Sequence, residues 1–188
     1  MSARGTEKAA VFLDRDGVLV VPEFRDGRSF APRRVRDLCL FKDIRHPLSL
    51  LKSRGFLLVV VTNQPDLGHG LIEQETLAEM HKTLMDELPI DLIKTCPHRQ
   101  QEGCFCRKPK PGLILEAAQE LGIRLDASFL VGDRASDIGA GHAAGCRTVF
   151  IDLEYAEPKP AGFTYAAKDL AGATDFILRA GDPREGAI

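Results

Sequence analysis

Asp14 and Asp16 stand two residues apart in Asp14-Arg15-Asp16-Gly17, directly after the apolar run Ala9-Ala10-Val11-Phe12-Leu13. Two carboxylates that close repel unless a cation sits between them. Magnesium suits the place, because it takes oxygen ligands and commonly uses one or two carboxylates with phosphate and water. Gly17 lets the backbone turn sharply away. Thr62-Asn63-Gln64 follows a second apolar run, Phe56 to Val61. A hydroxyl and backbone N–H groups at that point can hold a phosphate oxygen. Arg107-Lys108-Pro109 places fixed positive charge beside a rigid turn, and Gly132-Asp133 with Asp137 places two carboxylates at i and i+4. Each cluster alone reads equally as a turn, a helix cap or a solvated loop. Four of them in this order describe one site that handles phosphate with a divalent cation.

A fifth cluster has different chemistry. Cys96-Pro97-His98 and Cys104-Phe105-Cys106 bring three thiols and an imidazole into eleven residues. Four such ligands suit tetrahedral zinc with no position left open, which makes the site structural rather than catalytic. The loop leads straight into Arg107 and Lys108. The remaining cysteines, Cys39 and Cys146, read as ordinary thiols, and an odd total of five argues against a disulfide framework.

The elements that must position these residues follow from hydrophobic pattern. Ala9–Leu13, Phe56–Val61, Phe129–Val131 and Thr148–Ile151 are short continuous apolar runs that end in polar residues, as strands buried on both faces do. Ile90–Ile93 is a weaker strand. Between them lie helical patterns over Ile44–Arg54, Glu73–Leu88, Leu113–Leu121 and Ser136–Ala144. Gly55, Gly122 and Gly145 stand where left-handed C-caps belong. This alternation predicts an α/β, doubly wound, Rossmann-like and mainly parallel sheet. In such sheets ligands bind at the carboxyl ends of the strands, where Asp14, Asp16, Thr62 and Asp133 would stand. Residues 20–43, with five arginines, and residues 95–111 are long irregular stretches, which in a compact domain are more often functional than filler.

The whole chain has 188 residues, a net charge of −2 and 28% charged residues, which fits one domain with no global bias toward nucleic acid or anionic membrane. No apolar run reaches the length of a membrane span. The expected organisation is one domain over 1–178 and a flexible tail over 179–188. The expected setting is the cytoplasm, with no nucleic acid or membrane partner and a monomeric chain.

The four phosphate-type clusters resemble the motifs of the haloacid dehalogenase superfamily. Phe12-Leu13-Asp14-Arg15-Asp16-Gly17 is similar to its first motif, Val61-Thr62-Asn63 to its second, Lys108-Pro109 to its third and Gly132 to Asp137 to its fourth. The resemblance implies a magnesium-dependent phosphomonoesterase. Asp14 would attack phosphorus and form an aspartyl-phosphate, and Asp16 would serve as acid and then base. Thr62 and Lys108 would hold the phosphoryl group. It further implies magnesium on Asp14, the Asp16 carbonyl and Asp133, with Asp137 behind them. Asn63, Gln64, Arg107, Lys108 and Arg134 are the implied substrate contacts.

The cysteine loop, with Cys96, His98, Cys104 and Cys106 on zinc, resembles that of the D-glycero-D-manno-heptose 1,7-bisphosphate phosphatases and the histidinol-phosphate phosphatases. That likeness implies no large cap domain, and a small phosphorylated sugar as substrate. Heptose 1,7-bisphosphate losing its C7 phosphate leads, with histidinol phosphate or another small metabolite as the alternative. A zinc-stabilised phosphate-binding regulatory module is the non-enzymatic alternative. The chain departs from the heptose enzymes at Val18-Leu19-Val20-Val21, at His69, where they carry arginine, and at Arg134, where lysine is common. Arg25, Arg28, Arg33, Arg34 and Arg36 do not align with their substrate loop. All these positions bear on specificity, and His69 and the arginines are further candidate contacts.

Overall fold

The structure, a computed structural model, describes residues 8–25 and 28–181, without the side chains of Arg25 and Arg28. Its centre is strand β1, Ala10–Leu13, buried at every residue. The pleat sends Val11 and Leu13 to one face and Ala10 and Phe12 to the other, and each pair joins a separate core. Both faces are covered, which is why the run reads as continuously apolar. Phe12 and Leu13 are fully buried, and each contributes about 1.5–3 kcal/mol by leaving water.

The chain next forms a two-stranded antiparallel hairpin, β2 (Glu23–Arg25) and β3 (Arg28–Phe30). Helix α1 (Arg45–Ser53), strand β4 (Leu57–Asn63), a single turn α2 (Pro65–Gly68) and helix α3 (Gln74–Glu87) follow. Then come β5 (Leu92–Cys96), α4 (Gly112–Leu121), β6 (Phe129–Gly132), α5 (Ala135–Ala144), β7 (Arg147–Ile151), β8 (Tyr165–Ala167) and α6 (Leu170–Ala180). The main sheet has six strands in the order β5-β4-β1-β6-β7-β8, parallel throughout. The chain winds outward from β1 to β5, then returns to the other side of β1. The reversal falls between β1 and β6, where a doubly wound sheet opens a crevice at its carboxyl edge. Leu48 and Leu51 of α1 and Ile177 of α6 pack on one face, and Ile114 of α4 and Ala140 of α5 on the other.

The expected strands and helices are present, with instructive differences. The weaker strand begins at Leu92, two residues later than its apolar run, because Asp91 serves as a side-chain anchor. Its carboxylate accepts the Leu58 N–H at 2.7 Å and pairs with Lys52 at 2.7 Å. The stretch 20–43 is not wholly irregular, since it holds the hairpin and a turn of 3-10 helix at Val35–Asp37. Helix α6 runs to Ala180, whose carbonyl accepts a hydrogen bond from Arg147 at 2.7 Å. Residues 179 and 180 are therefore helical rather than tail, and 182–188 lie outside the described residues. No cap domain stands over the sheet among the described residues. No helix among them is long and apolar enough to cross a membrane.

Candidate active site

Asp14 and Asp133 directly follow β1 and β6, and Thr62 is the last residue but one of β4; the three strands are adjacent, so the sheet alone brings them together. The Asp14 N–H is fixed by a 3.0 Å bond to the Val131 carbonyl of β6. Arg15 and Gly17 then close a tight turn, with the Leu19 and Val20 N–H groups on the Arg15 carbonyl and the Gly17 N–H on the Val20 carbonyl. Gly17 has φ +100°, and a Cβ there would lie 2.2 Å from Asp133 Oδ2. Only glycine permits both the conformation and the approach.

Lys108 supplies the charge at the centre. It is 4% exposed, and its ammonium donates to Asp14 Oδ1 at 2.7 Å and to the Val61 carbonyl at 2.8 Å. It also pairs with Asp137 Oδ1 at 2.6 Å. Burial alone would lower its pKa, but Asp137 and Asp14 outweigh burial and raise it, so the ammonium is retained. Asn63 fixes the segment from below. Its amide accepts the Lys108 N–H at 3.1 Å and donates to the Lys108 carbonyl at 3.2 Å. Both ends of Asn63 are thus committed to the backbone of the Lys108 turn, which makes it a positioning residue here rather than an open substrate contact.

Asp137 is fully buried in the first turn of α5, and its Oδ2 accepts the Arg134 N–H at 3.0 Å. Burial pushes its pKa up to about 6 against the pull of Lys108. Asp133 differs. It is 3% exposed, and the Tyr155 hydroxyl, the one neutral side chain that acts on it, makes no well-formed hydrogen bond to either carboxylate oxygen. Burial, then the charges of Asp14 and Asp137, hold its pKa well above the carboxylate range. Oxygens of Asp14, Asp133 and Asp137 lie within 4.8 Å of one another. Ionised together, the three carboxylates would carry two negative charges more than the one ammonium offsets, and a divalent cation is the group that would let all three ionise.

The Asp16 side chain is held by its neighbours. Arg15 donates through Nε at 3.0 Å and Nη2 at 3.1 Å, and Gln64 Nε2 donates at 2.8 Å. Gln64 is 1% exposed and also donates to Thr62 Oγ1 at 2.8 Å, so it links Thr62 to Asp16. Around these groups opens a cavity of about 550 Å³. It is lined by Pro22 just before the hairpin, by Ser29 and Phe30 of β3, by Gln64 and Asp66, and by Cys104, Arg107 and Lys110.

Not every anticipated contact reaches this cavity freely. Arg107 and Arg134 line it, but each is engaged: Arg107 on the His98 carbonyl at 3.3 Å, Arg134 on Glu157 at 3.2 Å and on Ser29. Arg33 is paired with Asp66 at 2.6 Å, and Arg34 and Arg36 both face Asp37. The side chains of Arg25 and Arg28 lie outside the described residues. His69 is exposed at the end of α2 and is not part of the cavity wall. Pattern reading missed Arg15, Ser29, Tyr155 and His81, none of which carries a sequence signal. The hairpin had one, because Asp26-Gly27 is a dipeptide typical of two-residue hairpin loops.

The cysteine loop begins at the end of β5, and the Gln64 N–H bonds the Cys96 carbonyl at 2.8 Å. Cys96 Sγ lies 3.6 Å from His98 Nδ1 and 3.6 Å from Cys104 Sγ. Cys106 Sγ lies 3.2 Å from His98 Nδ1 and 3.6 Å from Cys104 Sγ. These are close to the edges, roughly 3.5–3.8 Å, that tetrahedral zinc with its usual bond lengths would impose. Burial and the adjacent thiols push Cys106 up to about 12, as expected where a cation is needed to stabilise thiolates. Lys110 ties the loop to the site through the Gly103 and Cys104 carbonyls at 2.9 and 2.7 Å.

Comparisons with known proteins agree with this geometry. A family model described as HAD-hydrolase-like matches residues 105–173. The D-glycero-beta-D-manno-heptose-1,7-bisphosphate 7-phosphatase of Helicobacter pylori strain J99 is 39% identical over 142 residues, covering 72% of this chain and 78% of that protein. Its counterpart from Pasteurella multocida is 35% identical over 158 residues, covering 77% and 81%. The crystal structure of the D,D-heptose 1,7-bisphosphate phosphatase from B. bronchiseptica, complexed with magnesium and phosphate, superposes with a TM-score of 0.79. It shares 26% identity and covers 92% of this chain and 99% of that one.

Proposed function

As a member of the haloacid dehalogenase-like phosphatases, in the family of the heptose-1,7-bisphosphate 7-phosphatases, this chain is a phosphoric monoester hydrolase, and we propose that it removes the C7 phosphate of D-glycero-D-manno-heptose 1,7-bisphosphate. The phosphatase chemistry is supported by the buried acidic cluster, in which Lys108 bridges Asp14 and Asp137 and Asp133 lacks a well-formed hydrogen bond, and the choice of substrate by the likeness to the heptose phosphatases.

Asp14 Oδ1 is steadied by Lys108, which leaves its other oxygen to attack phosphorus. The P–O bond to the sugar breaks as the Asp14 O–P bond forms, and Asp16 gives its proton to the departing oxygen. Asp16 then takes a proton from water, whose oxygen attacks the aspartyl-phosphate and frees inorganic phosphate and Asp14. Thr62 and Lys108 offset charge on the phosphoryl oxygens throughout. Asp14, the Asp16 carbonyl and Asp133 would hold magnesium, with Asp137 behind them, and the ion would supply charge neutralisation for the phosphoryl group. The donor set Cys96, His98, Cys104 and Cys106 fits zinc, which would stiffen the loop bearing Arg107 and Lys108.

The test is phosphate release from the heptose bisphosphate with magnesium, beside histidinol phosphate and a panel of sugar phosphates. Release of one equivalent from C7, faster than from any other compound, is expected. Asp14→Asn should lower kcat by about a thousandfold or more. Turnover preserved in that variant would overturn the nucleophile assignment, and a faster histidinol phosphate reaction would overturn the substrate.

A further inference from the structure

Arg15 is the largest fully buried side chain of the described residues, yet it lies between two aspartates of the site. Nε and Nη2 of its guanidinium fork onto the Asp16 carboxylate. Nη1 faces away from the site and meets Nε2 of His81, on α3, at 3.3 Å. For that contact to be a hydrogen bond, His81 must be neutral, with Nε2 as the acceptor. Burial and then the Arg15 charge drive its pKa down to about 4, which keeps the ring neutral at ordinary pH. His81 borders a separate groove of about 670 Å³ with Leu77, Met85, Ile93 and Pro97, and it is not part of the cavity wall.

We propose that His81 is a positioning residue for the phosphoryl transfer, holding the Arg15 fork in the plane from which it fixes the Asp16 carboxylate. The geometry requires an outer partner. A buried guanidinium with one face on Asp16 and nothing on Nη1 would leave a donor unsatisfied. Its readiest relief is rotation toward water in the groove beside His81, and such rotation would break the fork. Asp16 would then rest on Gln64 alone, whose amide has one N–H for Asp16 because the other is committed to Thr62. Proton delivery to the leaving oxygen depends on placement, and an error of about 1 Å can cost on the order of a hundredfold.

This rests on the reading of Asp16 as acid and base, so the experiment tests both. kcat/KM would be measured on the heptose bisphosphate, whose leaving oxygen needs a proton, and on p-nitrophenyl phosphate, whose leaving group departs as an anion. Asp16→Asn is the reference, and should lose far more on the sugar phosphate than on the aryl phosphate. His81→Leu removes the acceptor and is expected to lose about tenfold or more on the sugar phosphate and less than about threefold on the aryl phosphate. His81→Gln restores an acceptor near Nε2, and should return the sugar reaction to within about threefold of the parent. His81→Asn, polar but too short to reach Arg15, takes the place of the leucine variant if that one fails to fold. Equal losses on both substrates, or no recovery in His81→Gln, would reduce His81 to a packing residue and overturn the proposal. Equal losses in Asp16→Asn would instead overturn the acid–base reading on which it stands.

Discussion

Gly17 sits where the first and fourth motifs touch. A methyl group there would meet Asp133 at 2.2 Å with the backbone at φ +100°. Gly17→Ala is therefore expected to displace the Asp133 carboxylate from the acidic cluster. Activity should fall by about a hundredfold or more, and a magnesium titration should show a weaker midpoint. Stability should fall by only about 1–3 kcal/mol, since the strain is local. Normal magnesium affinity in this variant would mean that Asp133 does not bind the ion. Asp14 and Asp133 were legible in the sequence because each closes an apolar run, and Lys108 because it sets positive charge beside Pro109. Asn63 was legible as a site residue but not in its actual work, because its partners are the backbone atoms of Lys108, 45 positions away. Arg15 and His81 were illegible for the same reason: an arginine in a polar loop and a histidine on an amphipathic helix give no hint of burial.

At the scale of elements, the central strands could be read in advance because both faces of β1, β4 and β6 are buried, so apolar residues run without interruption. Strand β5 sits at the sheet edge with four of its five residues half-buried, and its pattern is correspondingly weak. Helix α6 is capped by Asp169, just before its first residue, which accepts the Gly172 N–H at 2.8 Å. The cysteine loop gains little from burial, since Phe105 within it is 59% exposed, and the proposed zinc on Cys96, His98, Cys104 and Cys106 would be what holds it. If the loop holds the proposed zinc, a chelator is expected to lower the thermal midpoint by about 5–10 °C. Far-ultraviolet circular dichroism should change little, because the sheet does not pass through the loop. Activity should fall with it, because Arg107 and Lys110 are fastened to loop carbonyls. A chelated protein with unchanged midpoint and turnover would deny the loop any metal.

For the whole molecule, His81 makes folding stability depend on acidity. The folded chain holds it neutral to about pH 4, whereas the unfolded chain protonates it near 6.5. The unfolded state binds more protons in that window, so this contribution is complete above pH 6.5 and declines as the pH falls toward 4. Denaturant melts of the parent and His81→Gln, with magnesium present, isolate it, because glutamine does not titrate. Between pH 7 and 5 the parent should lose about 2 kcal/mol relative to the variant. Parallel curves would remove His81 from the account. The order of the elements along the chain has its own effect during synthesis. Asp137, the last member of the acidic cluster, leaves the ribosome about forty residues ahead of Ile177, which helps to close one face of the sheet. A nascent chain thus carries every group needed for chemistry while its core still lies open on one side, and translation completes the reactants before it completes the vessel.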